Sequence, residues 1–484
     1  MTAGRATPTP RRWPPLTTWW QGPTLGSGSE NAVVNRSQSA FGPQEQLTDR
    51  PVQPAHLQWS PDSTHIATFA LDVPPETEMI GMAQNTPPDR YRPRHYVFPY
   101  PLPVDDRVPT NVVKLFDVAT LSAVPVDAAP INQLHGYGAG PHFAWAEDSA
   151  SFRYTQTERG CTAHRLMEVD AASGAVRTVI EERDELTVNQ WASGHWNLAT
   201  GEVLWLSERD GHSHLYLYTS DGSLKAQITA GAWQVRGVER LDEDRRVVFF
   251  SGSGKEAGRD PYLRHLYRVS LDDGADPALL TPEDAEHSVS FSPDADYLVD
   301  AFGRADLPAQ TVLRSAEDGS VLRVIATADV SALEAAGWRA PTTFEGLAAD
   351  GATPLYSLIW WPTNFDPAQR YPVVENVYTG PHGAHVPKAF KQSLFHHSQA
   401  IAELGFICVF IDGRGTGDRS REFRLRSQNN LKDGAGGPDH PAMLRQMAEK
   451  YPAMDLDRVG IWGHSAGGKR TPICIIISCI VWQH

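Results

Sequence analysis

Val459-Gly460-Ile461-Trp462-Gly463-His464-Ser465-Ala466-Gly467-Gly468 is an apolar run followed at once by G-x-S-x-G. The run reads as a buried strand. The two glycines around the serine let the chain turn sharply from strand into helix where the two pass too closely for side chains. Such a turn lifts the serine hydroxyl out of the sheet. It assigns Ser465 as a nucleophile whose Oγ attacks a carbonyl, with the Ala466 backbone N–H as one donor to the resulting oxyanion. Alone, so short a pattern arises by chance in a chain using this much Gly and Ser. The preceding strand, Gly468 and the alternation of strands and helices upstream give it meaning.

Upstream lie strand-like Leu355–Trp361 and Pro372–Tyr378, a helical stretch around Ser393–Leu404, the apolar strand Phe406–Ile411 and a helix near Ala442–Lys450. Alternating strands and helices predict a largely parallel sheet, here an α/β-hydrolase domain over 339–468. In that fold the acid and the histidine follow the serine along the chain, and nineteen residues remain after Ser465. Those from Lys469 to His484 hold Pro472, five isoleucines and two of the four cysteines. β-branched residues favour strand over the helix an elbow requires. The expectation is an incomplete domain lacking the triad Asp and His, ending in an aberrant tail (469–484) that comes from a frame shift or a misread exon or contig end. Such a chain would work some thousands-fold below a complete triad. Its serine strand would also present an unpaired apolar edge.

The region before residue 339 has a different texture. Residues 1–45, rich in Pro, Thr, Gly and Ser, read as an irregular lead-in. Over 46–338 short β-branched and aromatic runs alternate with Asp/Gly/Ser/Pro turns. A strand ending in an acidic turn recurs, with marker residues Asp117, Asp170, Asp221, Asp272 and Asp318 spaced by 53, 51, 51 and 46. An aromatic before a turn recurs at Trp59-Ser60-Pro61-Asp62, Trp145-Ala146-Glu147-Asp148 and Phe291-Ser292-Pro293-Asp294. Four-stranded units at about this period are propeller blades. The reading is a β-propeller with five to six blades present, set against a β-sandwich with accidental spacing.

Composition narrows the partners. A net charge of −15 argues against nucleic acid and anionic membrane surfaces. Four cysteines with no C-x-x-C or histidine cluster suggest neither a disulfide framework nor a metal, and no cofactor is implied. The Arg- and Pro-containing start lacks the apolar core of a signal peptide. Ile473–Trp482, the most apolar run, is about half a membrane-spanning length. The expected location is cytoplasmic.

Specific motifs then point to one family. Tyr371-Pro372-Val373-Val374-Glu375-Asn376-Val377-Tyr378-Thr379-Gly380-Pro381, Asp412-Gly413-Arg414-Gly415 and Asp457-Arg458-Val459-Gly460-Ile461-Trp462-Gly463 resemble the catalytic domain of the dipeptidyl peptidase IV family. That family lies within the prolyl oligopeptidase group. Trp59-Ser60-Pro61-Asp62 and Ser207-Glu208-Arg209-Asp210-Gly211-His212-Ser213-His214-Leu215-Tyr216-Leu217-Tyr218 resemble its propeller. The resemblance covers about residues 50–468. It implies an eight-bladed propeller capping an α/β-hydrolase domain, and peptide substrates cleaved near their N-termini, often after proline. It makes Tyr378 the second oxyanion donor; a neutral phenol suits that task. The bland alternative is a strand-end tyrosine packed in the core.

The resemblance also marks departures. The family's glutamate pair, which holds a substrate amine, precedes the Trp-Ser-Pro motif by about ten residues. Glu181-Glu182 lies too far downstream, and at most Asp49 stands in the corresponding place. About two blades are missing at the N-terminal side. Ala466 replaces a tyrosine that would wall the proline pocket, which puts strict post-proline specificity in doubt. Asp412 and Arg414 are read as shaping a turn. His382, His385, His396, His397 and His440 precede the serine and none is assigned as base; His484 is read as incidental. Beside the serine peptidase reading, whose partners are a peptide substrate and a second copy in a homo-oligomer, stand an acyl-peptide hydrolase or esterase and a non-catalytic propeller scaffold that binds peptides or proteins.

Overall fold

The structure, a computed structural model, describes residues 57–467 apart from 73, 75–78, 84–90, 93–94, 100–101, 103, 133–140, 273, 275, 379, 429, 431–435 and 465–466. Among the described residues five antiparallel sheets of four or five strands follow one another, each a meander in sequence order, and a two-stranded hairpin of Met79–Ala83 with His95–Pro99 stands apart from them. The first comprises Gln58–Trp59, His65–Asp72, Thr110–Asp117 and Ser122–Val124, with Ile131–Asn132 also paired to its third strand. The second holds Ala144–Trp145, Ser151–Thr157, Ala163–Asp170 and Val176–Arg183. The third holds Gly194–Asn197, Val203–Ser207, His214–Tyr218 and Leu224–Gln227. The fourth holds Gln234–Asp242, Val247–Ser253, Arg264–Ser270 and Ala278–Leu279. The fifth holds Glu286–Phe291, Tyr297–Arg304, Leu307–Ser315 and Val321–Thr327.

Apolar clusters join each sheet to the next. Leu115 meets Phe152 and Val169 between the first and second, and Leu166 meets Trp205 and Tyr216 between the second and third. Leu204 and Leu217 meet Val235 and Phe250, and Phe249 meets Leu298 across the last pair. Covered on both faces, Val203–Ser207 and His214–Tyr218 are buried at every position. Their near-continuous apolar sequence follows from that burial.

The repeating turns have a local cause. Every marker aspartate lies in or beside the hairpin between third and fourth strands. Asp117 accepts from the Thr120 N–H (2.7 Å), Asp170 from Ser173 (2.8 Å), Asp221 from Ser223 (3.0 Å) and Asp318 from Ser320 (3.0 Å). Asp272 instead binds the Arg246 guanidinium at 2.7 and 3.0 Å. The aromatic-turn marker fills the hairpin between first and second strands. There Asp62, Asp148 and Asp294 accept backbone N–H groups, and Ser63, Ser149 and Ala295 all sit near φ +60°. Aspartate reaching its own backbone two or three residues on is what closes such turns.

The C-terminal unit is one mixed sheet in the order Thr342–Leu347, Pro354–Trp360, Ile407–Ile411, Tyr371–Asn376, Met454–Trp462. The last three run parallel. The helix Asp439–Lys450 covers one face through Met443, Leu444 and Met447. The helices Phe390–Leu394 and His397–Ala402 lie on the other face. The single helix expected around Ser393–Leu404 is two because His396 is extended (φ −73°, ψ 133°). Its ring stacks on Trp360 at 5.0 Å, an attraction stronger than one residue's helical preference. Asp49 and the segments 1–45 and 469–484 lie outside the described residues. Among the described residues no helix is long and apolar enough to cross a membrane.

The two parts meet through loops at one end of the sheets. Glu208 and Arg424, both almost fully buried, pair at 2.7 Å, and Asn189 donates to the other Glu208 oxygen at 2.9 Å. Arg421 pairs with Asp184 at 2.5 Å, and its N–H donates to the Gly211 carbonyl at 2.8 Å. Ser393 Oγ donates to the Ala305 carbonyl at 2.7 Å. Removing one partner of a buried pair strands the other. Arg424→Met is therefore expected to destabilise by about 3–5 kcal/mol, whereas Arg424→Met with Glu208→Gln costs less than the separate losses combined. Urea unfolding of the three variants checks this.

Burial also pushes the imidazoles of His164, His195, His265, His385 and His396 down to about 4. Below an ordinary pKa of about 6.5 the unfolded chain binds protons that these rings refuse. Stability should then fall as pH drops from about 6.5 to 4, seen as a lower urea midpoint at pH 5 than at pH 7. Equal midpoints would contradict it.

Candidate active site

The carboxyl ends of the three parallel strands gather the residues singled out by sequence. Ile411 leads to Asp412, Asn376 to Val377-Tyr378, and Trp462 to Gly463. The Val377 N–H donates to the Trp462 carbonyl at 2.9 Å, extending the strand pairing into the turn. The Gly467 N–H donates to the His464 carbonyl at 2.8 Å, closing a tight turn at the start of a helical residue. Ser465 and Ala466, between them, lie outside the described residues.

Both glycines of the turn are sterically required. A Cβ on Gly467 would overlap the Val377 carbonyl oxygen and stand 3.2 Å from Tyr378 Cα. A Cβ on Gly463 would overlap the same oxygen and stand 2.7 Å from the Gly467 carbonyl carbon. Gly463 and Gly467 thus both pass close to the Val377 carbonyl, one residue before Tyr378.

Tyr378 is half-buried, with its ring 4.4 Å from His385 and 5.6 Å from His382. Burial, then the neighbouring His382, pushes His385 down to about 4, and burial lowers His382 too. Both rings are therefore neutral at pH 7.

The segment after Tyr378 is stitched to the loop after Ile411. Asp412, fully buried, accepts the N–H groups of His385 and Val386, each at 2.9 Å. Burial raises its carboxyl to about 6, while Lys388 and these amides draw it back down. Asp418 accepts the Ala384 N–H at 2.9 Å, and the Gly417 N–H donates to the Gly383 carbonyl at 3.0 Å. The Arg414 guanidinium binds Asp439 at 2.8 Å. Asp412 and Arg414 hold the loop in shape.

The other sequence candidates separate cleanly. Glu181 pairs with Arg165 and Arg183, and Glu182 accepts from Trp205 Nε1 at 2.9 Å and from Arg209. Both serve the sheets. His397 Nε2 lies 3.0 Å from Asn376 Nδ2. His440 pairs with Glu375 at 2.5 Å in the core beneath the sheet; burial alone would lower its pKa, but the Glu375 carboxylate raises it. Glu283, His287 and Asp300 come close enough to share a metal, yet the Arg314 guanidinium donates to Glu283 at 2.6 Å and Asp300 at 2.9 Å and fills the cation's place. Sequence reasoning missed Arg236, Asp260, Lys388 and Asp418, which tie the Tyr378 segment to the fourth sheet; no local pattern marks them.

Comparison with known proteins agrees with this layout. Residues 53–309 match the dipeptidyl peptidase IV N-terminal region, and residues 392–476 match the prolyl oligopeptidase family. Dipeptidyl peptidase 4 of Arthroderma otae is 26% identical over 425 residues, covering 85% of this chain and 53% of that protein. Dipeptidyl peptidase 4 of Trichophyton equinum is 26% identical over 428 residues, with the same shares. The chain thus spans about half the length of the curated relatives it matches. The crystal structure of Porphyromonas gingivalis dipeptidyl peptidase 4 superposes with a TM-score of 0.69 at 22% identity, over 89% of this chain and 58% of that one, which shows a shared fold. With the first of these matches covering more than half of its residues, the chain belongs to the dipeptidyl peptidase IV family.

Proposed function

We propose that this protein is a serine peptidase of dipeptidyl peptidase IV type, removing short units from peptide N-termini through an acyl-enzyme. In this reading 46–338 is the propeller, its five described sheets being blades, and 339–468 is the hydrolase domain. Ser465 Oγ attacks the scissile carbonyl. The Tyr378 hydroxyl and the Ala466 N–H donate to the oxyanion, where hydrogen bonds strengthen as charge develops. The observation that supports the reading is the close approach of the Val377 carbonyl to both elbow glycines, one residue before Tyr378. The family's fold and the names of the relatives agree with it.

Acyl transfer also needs a histidine and an acid that follow the serine in this fold, so the assay uses the protein at the full length its gene encodes. It is expected to hydrolyse dipeptide p-nitroanilides with a free amine and to spare their N-acetylated forms, with Ser465→Ala inactive. Turnover of blocked peptides or p-nitrophenyl esters alone would point to an acyl-peptide hydrolase or esterase. A folded protein whose Ser465 resists a fluorophosphonate would be the non-catalytic scaffold. Tyr378→Phe should lower kcat by about 10²–10³-fold with KM little changed.

Gly467→Ala tests the geometry without relying on turnover. Forcing a methyl against the Val377 carbonyl should cost about 1–3 kcal/mol or more in urea unfolding. A neutral Gly467→Ala would mean the two segments do not touch.

A further inference from the structure

The fourth sheet reaches the Tyr378 segment through two ion pairs that neither fold nor chemistry demands. Asp260, in the loop between its second and third strands, binds Lys388 Nζ at 2.6 Å. That ammonium also lies 4.7 Å from the Tyr262 ring and 5.6 Å from the Tyr356 ring, so it is held between the two parts of the chain. Tyr262 itself is buried edge-on against Tyr356 at 6.0 Å. Arg236, on the first strand of the same sheet, pairs with Asp418 at 2.6 Å. Asp418 in turn accepts the Ala384 N–H.

The side chains of these four residues are 13–23% exposed. Water is mostly but not wholly excluded, a setting in which charge-assisted bonds hold geometry well. The 380–388 segment is therefore fixed at its middle, Ala384, and at its end, Lys388. Between them His385, whose ring touches Tyr378, is held by Asp412.

We propose that Arg236 and Asp260 are positioning residues: acting through Asp418 and Lys388, they set where Tyr378 stands, so that the sheet array governs the oxyanion donor of the other domain. This rests on the reading of Tyr378 given above, but the positioning claim can be judged separately. Hydrogen exchange in the full-length protein reads it directly. Arg236→Gln and Asp260→Asn should each speed exchange of the amides over 383–388 by about tenfold, the loss of one charge-assisted anchor. The Pro354–Trp360 strand should be unchanged. Arg236→Lys should largely retain protection, and exchanging the charges with Asp260→Lys plus Lys388→Asp should restore it. Unchanged exchange over 383–388 in folded Arg236→Gln and Asp260→Asn overturns the proposal.

Fluorophosphonate labelling of Ser465 in the same samples separates the two claims. Labelling that slows in step with faster exchange supports both. Faster exchange with unaltered labelling keeps the positioning role and removes Tyr378 from the oxyanion site.

Discussion

The Val377 carbonyl oxygen occupies the space that a side chain at either Gly463 or Gly467 would need. Much of the site's geometry follows from this contact. With no Cβ on either glycine, Gly463 and Gly467 can approach the end of the neighbouring strand, where Val377 is followed by Tyr378. The backbone bond from Val377 to Trp462 fixes the same approach from the other side. Two strands far apart in sequence thereby deliver their first non-strand residues to one place, the carboxyl edge of the parallel strands, where α/β folds collect their chemistry.

What could be read from sequence was local. The recurring Asp turns and the Ser-Pro-Asp hairpins close through bonds to backbone two or three residues away, so their signal lies within a short window. The strand Thr342–Leu347 escaped notice because Gly346 breaks its pattern. That glycine exists for a distant reason: a Cβ there would meet Met443 Sδ of the covering helix at 2.8 Å. The split at His396 was hidden likewise, since stacking on Trp360 decides it. The ion pairs across the two parts left no sequence mark, because each partner alone looks like an ordinary surface charge.

The two ends of the sheets differ in what they contribute. At the far end an Asp-closed turn recurs between first and second strands of the first, second and fifth sheets, and between third and fourth strands of all but the fourth, because closure is what is asked of them. Loops between second and third strands at the near end do not repeat. Glu208, Asp260 and Ala305 lie in corresponding loops of the third, fourth and fifth sheets, yet one offers a buried carboxylate, one a half-wet carboxylate and one a backbone carbonyl. Repetition records the requirements of folding, and its loss marks where the array meets the hydrolase unit.

The contacts across that junction are also unequal. Glu208–Arg424 is dry, with side chains only 7% and 4% exposed, so neither charge has water to fall back on and the pair resists separation. Asp260–Lys388 and Arg236–Asp418 are wetter, and mobile ions screen them more. A dry clamp beside three wetter pairs, Arg421–Asp184 included, holds the parts together while leaving the 380–388 segment sensitive to its surroundings. The net charge of −15 sharpens the contrast, since every cation placed at this junction is drawn from a chain short of them. Spending Arg236, Lys388, Arg421 and Arg424 there, rather than on the outer surface, is where this sequence departs most from a simple stack of sheets.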